Sequence, residues 1–274
     1  MVADGIAVIS ITGALMKQRA SFSRATSTAL LRRSIRSAAA DRDIRGIMMV
    51  IDSPGGTVAG TGDLADDIAA AAGQKPVHAF FEDLAASAAY WVGSQANHVS
   101  ANPTALVGSI GTFAVVHDLS KAADDAGIKV HVIKAGEFKG AGAPGSVVTD
   151  DQLAQMQIMV DGLNEHFLDG VASGRGMNRA QVNQLNDGRV HIAATAQELN
   201  LIDAVESFAA AFDRLDQQTA NQKRSVLAMQ TNATTNTPVA DNKPTNEKEP
   251  TNEKDKPANE KDKPQRKKQA DRRR

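Results

Sequence analysis

The chain has 274 residues and a mass of 28.9 kDa, and its 31 basic and 32 acidic side chains leave a formal net charge of −1. With 42% hydrophobic and 23% charged residues, that balance excludes a globally basic nucleic-acid binder and a globally acidic, disordered chain. The absence of cysteine excludes disulfide scaffolds, Cys-ligated zinc, iron–sulfur clusters and thiol nucleophiles, so any nucleophile must come from another side chain.

Met1-Val2-Ala3-Asp4 has no basic stretch followed by an apolar core, and nowhere do eighteen apolar residues run together, which predicts a soluble, unexported, cytoplasmic protein. Ile6 to Thr12 alternates apolar and small residues as a strand does, and Ala25 to Ala40 follows with helical spacing at Leu30, Leu31 and Ile35. Ile44 to Ile51 is a short apolar run of the kind found in buried parallel strands, and it stops at Asp52-Ser53-Pro54-Gly55-Gly56. The pattern then predicts a helix from Gly62 to Ala72, a strand from Val77 to Phe81, a helix from Ala86 to Gln95 and a strand near His98 to Ser100. Further strands are expected at Thr112 to Val116, Lys129 to Ile133 and Leu201 to Ala204. Helices are expected at Leu119 to Ala126, Asp150 to Ala172 and from about Asn178. Strand and helix units repeated at this length indicate an α/β fold with a largely parallel sheet.

All ten aromatic residues lie between Phe22 and Phe212, so the core should be complete by about Leu215. Residues 245–264 are a near-repeat of Asn, Glu, Lys, Asp and Pro that cannot form a core, which places a domain at 1–217 and a disordered, charged tail at 218–274. From Asp216 onward there are 14 basic and 9 acidic residues, so the tail is positive and the body negative. The last nine residues hold six basic side chains and one acidic one, enough for weak, salt-sensitive contact with nucleic acid or an acidic partner, or simply a soluble extension.

Three segments could carry chemistry. The glycines of Asp52-Ser53-Pro54-Gly55-Gly56 permit positive φ and a close backbone approach, so their amides could face a ligand oxygen; an ordinary strand-to-helix turn fits the same residues. Ser87, in Ala85-Ala86-Ser87-Ala88-Ala89-Tyr90, falls in the first turn of an alanine-rich helix, where free amides favour developing negative charge, or where a serine simply caps the helix. Lys139 sits in a glycine-rich loop, Lys134-Ala135-Gly136-Glu137-Phe138-Lys139-Gly140, though a lysine most often decorates a solvated face. The six histidines form no catalytic or His-Glu-x-x-His pattern, so no metal site is expected.

Taken in order, the Asp-Ser-Pro-Gly-Gly turn, the Ala-Ser-Ala-Ala-Tyr segment, Gly108-Ser109-Ile110-Gly111 and Lys-Ala-Gly-Glu-Phe-Lys form a set that resembles the signal peptide peptidase A (SppA-type) family of serine peptidases, on the Clp protease/crotonase fold. Val58-Ala59-Gly60 and Asp63-Leu64-Ala65-Asp66 resemble its phage branch of head maturation proteases more closely. The resemblance covers most of residues 5–210 and implies Ser87 as nucleophile, Lys139 as general base, and an oxyanion hole from the amides near Gly55 and Gly56 with that of Ala88 as second donor. Ala88 and Ala89 stand where family members often have two glycines. The resemblance further implies no cofactor, protein or peptide substrates such as phage scaffold, capsid and portal proteins, and a homo-oligomer with the dyad shared between protomers. A lysine base must be neutral to take the serine proton, which burial among apolar groups favours. Two other readings share the fold or the tail: a crotonase-like acyl-CoA hydratase or isomerase, and a catalytically idle assembly or scaffold-binding protein.

Overall fold

In the computed structural model, which describes residues 1–18 and 25–235, the chain opens with β1 (Val2–Ala3), β2 (Ile6–Thr12), β3 (Leu15–Met16) and β4 (Thr26–Ser27). Then come α1 (Thr28–Ala40), β5 (Gly46–Ser53), α2 (Thr61–Ala72), β6 (Val77–Ala86), α3 (Ala88–Gly93), β7 (His98–Ala101) and β8 (Leu106–Gly108). The C-terminal half holds α4 (Ser120–Asp125), α5 (Asp150–Arg175), α6 (Arg179–Leu185), β9 (Val190–Ile192), α7 (Ala193–Glu198), β10 (Ala204–Val205) and α8 (Phe208–Thr235). The main sheet runs β1-β2-β5-β6-β7-β10, and β8 and β9 attach through β6. Every pairing in it is parallel except β1 with β2 and β8 with β9, so the fold is α/β with a mostly parallel sheet.

Period-two alternation assigns the two faces. On β5, Ile47, Met49 and Ile51 enter the larger core, whereas Met48 and Val50 face the smaller one. The larger core is covered by α1, α2 and α3 and by the buried Phe167, Leu168 and Val171 of α5. Trp91 of α3 stacks on Phe167 with ring centroids 5.2 Å apart. Gly170 makes room, since a Cβ there would lie 2.0 Å from the indole nitrogen. On the other face, Ala211 and Leu215 of α8 close over Ile6, Met48 and Phe80.

One irregularity in the sheet aims the chain at the candidate site. Ile51 lies opposite Phe81 but Ser53 lies opposite Ala85, so β6 bulges over 82–84. Before the bulge β6 pairs with β7, and beyond it with β8. The strand is thereby longer than the Val77 to Phe81 expected, and α3 starts at Ala88 rather than Ala86.

The elements expected up to His98 all form, with boundaries moved by a few residues. The strands expected at 112–116 and 129–133 do not: both stretches lack ladder partners among the described residues, and Phe113 and Ile133 are 87% and 98% exposed. The helix α5 starts from a Thr149–Gln152 capping box, ends at Gly176 in the left-handed region and spans about 39 Å. Its N-terminal stretch, up to Leu163, carries Leu153, Ile158, Met159 and Leu163 exposed.

Residues Met1–Gln230 make one compact unit; of the second, Thr231–Arg274, only the end of α8 is described. The helix α8 runs past Gln218, where the sequence places the start of the tail, and Gln218 and Thr219 pack against the sheet. The rest of that tail lies outside the described residues. Among the described residues no helix is long and apolar enough to cross a membrane.

Under α8, His78 is 2% exposed, its Nε2 lies 2.8 Å from Gln218 Oε1, and its ring packs on His98 at 5.0 Å. Burial pushes its pKa down to about 4; His98 and Arg214 add to the fall, while the Gln218 hydrogen bond and Glu206 oppose it. The unfolded chain protonates this ring near 6.5, so the contribution is complete above that pH and is lost as pH falls toward 4, by up to about 3 kcal/mol. Denaturant titrations at pH 7 and 4.5 should show a smaller loss in His78→Gln than in wild type; parallel losses would remove His78 from the acid sensitivity.

Candidate active site

Ser87 occupies the corner between β6 and α3 with φ 53° and ψ −125°. A side chain in this region costs about 1–3 kcal/mol and persists only where its surroundings impose it. Here two bonds impose it: the Ser87 N–H donates to the Gly108 carbonyl at 2.8 Å, and the Ser87 carbonyl accepts the Trp91 N–H at 3.0 Å. One ties the corner to β8 and the other to α3. The Ser87 side chain makes no capping bond to the helix, and the residue is partly exposed. The capping role that the sequence also allowed is therefore not the one the hydroxyl plays.

The Asp52–Gly56 turn comes to the same place. Gly55 adopts φ 92°, and a Cβ on it would lie 2.7 Å from both Ser87 Cβ and the Ala86 carbonyl and 2.9 Å from the Ala88 nitrogen. Only glycine lets the two corners approach so closely. Gly56 is equally constrained from the other side, where a Cβ would lie 1.8 Å from the Leu15 carbonyl. Leu15 grips the turn twice, donating its N–H to the Gly55 carbonyl at 2.8 Å and accepting the Thr57 N–H at 2.9 Å. Ser53, fully buried, donates Oγ–H to the Gly13 carbonyl at 2.6 Å and accepts the Gly55 N–H at 3.1 Å. The amides of Gly56 and Ala88 donate to no group among the described residues.

The Gly108-Ser109-Ile110-Gly111 motif, to which the sequence assigned no role in the site, also comes here. The Gly108 carbonyl braces Ser87, and Ser109, at φ 52°, is held by donating its N–H to the Arg189 carbonyl at 2.7 Å. The role of Ser53 was legible in principle: it has the parity of Ile47, Met49 and Ile51, so its hydroxyl had to enter the core and find partners there. Beyond Ser109 a polar cavity of about 540 Å³ opens between Thr112, Gln157, Asp161, Asn164 and Asn186.

Lys139 stands apart from this cluster in the single chain. It is exposed, in a turn where its N–H donates to the Gly136 carbonyl at 3.2 Å, and no hydrogen bond joins its amine to Ser87. The apolar surroundings expected for it are not supplied by its own chain, although Phe138 and the exposed Val130, Val132 and Ile133 lie nearby in sequence. The structure thus brings together Ser87, Gly55, Gly56 and Ala88, and leaves Lys139 on an exposed apolar arm.

A family model described as peptidase family S49 matches residues 69–223, which include Ser87 and Lys139. The chain is 28% identical over 241 residues to capsid assembly protease C of Escherichia phage lambda, covering 85% of this chain and 55% of that protein. It is 32% identical over 180 residues to the head-tail preconnector protein GP5 of Enterobacteria phage P21, covering 65% and 36%. It is 27% identical over 175 residues to protease 4 of Salmonella typhi, covering 64% and 28%. The chain spans about half the length of these relatives or less. With the family model matching more than half of its residues, the chain belongs to peptidase family S49.

Proposed function

We propose that this chain is a serine endopeptidase in which Ser87 is the nucleophile, Lys139 the general base, and the amides of Gly56 and Ala88 the oxyanion hole. The observation that carries this reading is the strained corner at Ser87, with a hydroxyl not spent on capping, set directly against a glycine turn that has an amide to spare. In the reaction, Ser87 Oγ attacks the scissile carbonyl carbon as its proton passes to the neutral amine of Lys139. The carbonyl π pair moves to oxygen, and the resulting oxyanion is held by the two amides, each worth about 3 kcal/mol. Collapse expels the amine of the substrate, which takes the proton from Lys139. Water then enters by the same steps and releases the acid, restoring Ser87.

The lysine comes from a second copy in a homo-oligomer. In support, Lys139 lies in an arm whose Phe113, Val115, Ile128 and Ile133 are all more than half exposed, a surface that a lone chain leaves in water at a cost of about 25 cal/mol per Å². Seating the arm on a neighbour would bury these side chains, give the unpaired stretches an edge, and carry the amine into a dry place. The substrates are proteins, and the names of the two phage relatives point to capsid assembly as the setting. The basic C-terminal residues would serve there as a contact for an acidic partner.

Ser87→Ala and Lys139→Ala should each lower hydrolysis of an unfolded protein substrate at least a thousandfold. Mixed and reassembled, the two inactive chains should regain about a quarter of wild-type activity, since one interface in four pairs an intact serine with an intact lysine. Wild-type activity in Ser87→Ala would overturn the peptidase reading, and no regain on mixing would overturn the shared site. Phe113→Asp with Ile133→Asp should shift the sedimentation coefficient to that of a single chain and abolish hydrolysis while leaving the far-ultraviolet circular dichroism unchanged; an active single-chain species would count against the arm.

A further inference from the structure

Gly55 packs against the Ser87 corner and Gly56 follows it in the same turn, and an oxyanion needs a donor in a fixed position. What separates the two amides is Ser53. Its side chain is fully buried at the end of β5, facing the same way as Ile47, Met49 and Ile51, where a hydroxyl must spend both its proton and a lone pair. The proton goes to the Gly13 carbonyl at 2.6 Å and the lone pair takes the Gly55 N–H at 3.1 Å. Gly13, itself at φ 66°, donates its N–H back to the Asp52 carbonyl at 3.0 Å. These bonds tie the end of β2 to the glycine turn. Leu15, two residues on, clamps the same turn through Gly55 and Thr57.

We infer that Ser53 is a positioning residue for the oxyanion hole: by drawing the Gly55 amide inward it assigns the donor role to Gly56 and fixes the Cα of Gly55 against Ser87. The inference rests on the reading of Ser87 as nucleophile. Without the hydroxyl, the buried Gly55 N–H and the part-buried Gly13 carbonyl both lose a partner. The turn can then relieve that loss by rotating the Gly55–Gly56 peptide, which moves the Gly56 amide off the oxyanion. Ser53 touches no substrate atom; it acts through Gly55.

The test compares wild type with Ser53→Ala, with Ser53→Cys, which keeps the volume but bonds weakly, and with Ser53→Thr, which keeps the hydroxyl. A fluorophosphonate titration counts competent sites, so that kcat is expressed per titrated site and a loss of folded protein does not enter. We expect kcat per site to fall about ten- to a hundredfold in the Ala and Cys variants with KM within about threefold, and the hydroxyl of the Thr variant to recover most of it. Affinity for a peptide aldehyde, whose hemiacetal oxygen occupies the oxyanion position, should fall by the same factor as kcat/KM. A residue that only holds the fold together would lower the number of titrated sites and the melting temperature and leave these per-site values alone. Wild-type kcat and aldehyde affinity per site in Ser53→Cys, with Ser87→Ala inactive, would overturn the role of Ser53 and leave the peptidase reading standing. Activity in Ser87→Ala would instead overturn the reading beneath it.

Discussion

The corner at Ser87 is the constraint on which the rest of the site depends. A serine at φ 53° is uphill, and what holds it there is one bond to Gly108 on β8 and one to Trp91 on α3. Each of those partners is fixed in turn by packing that looks remote from the site. The strand β8 reaches Ser87 only because β6 bulges at 82–84 and changes partner from β7 to β8. Trp91 is pinned by its stack on Phe167, which Gly170 permits. Strain at Ser87 is thus balanced by a sheet irregularity on one side and a buried aromatic pair on the other.

The glycine turn answers the same constraint from the opposite direction. A loop free to move would gain nothing from closeness to Ser87, because a donor helps an oxyanion only if it is already in place when the charge develops. Leu15 and Ser53 supply the fixing, and both depend on β2 continuing parallel to β5 through Thr12 opposite Asp52. The central parallel pair is therefore the frame that holds the Gly55 turn against Ser87.

What the sequence made legible follows from which interactions are local. The alternation of β2, the apolar run of β5, the starts of α5 and α6, and the glycines of the turn are readable from neighbours along the chain, and these elements lie close to where expected. Three of the four motifs supply groups that meet at the Ser87 corner, while Lys139 of the fourth stands apart in the single chain. The short strands β8 and β9 were missed because three residues carry almost no periodicity and are defined by partners far away. The end of the core was placed near Leu215, which is indeed fully buried, yet α8 continues to Thr235 because polar residues can extend a helix without contributing a core. The stretches at 112–116 and 129–133 have the composition of strands but pair with no strand among the described residues.

Lysine as a base raises a question that a second lysine of this chain helps to answer. Lys75 also approaches the interior, and its amine donates to the carbonyls of Ala38, Asp41 and Ile44 at 2.7–2.9 Å. Burial pulls its pKa below the ordinary lysine value, but three carbonyls absorb all three of its protons and hold the charged form in place, which suits a structural tie and not a base. A lysine that must give up a proton needs the reverse: apolar cover and few acceptors. Lys139 has neither cover nor side-chain acceptors among the described residues, so its amine is uncommitted, and the residues flanking it in sequence, Val132, Ile133 and Phe138, are those that could provide cover without acceptors once another surface closes over them. The arm therefore has the composition that the proposed base requires, and the proposed second copy would supply the surface over it.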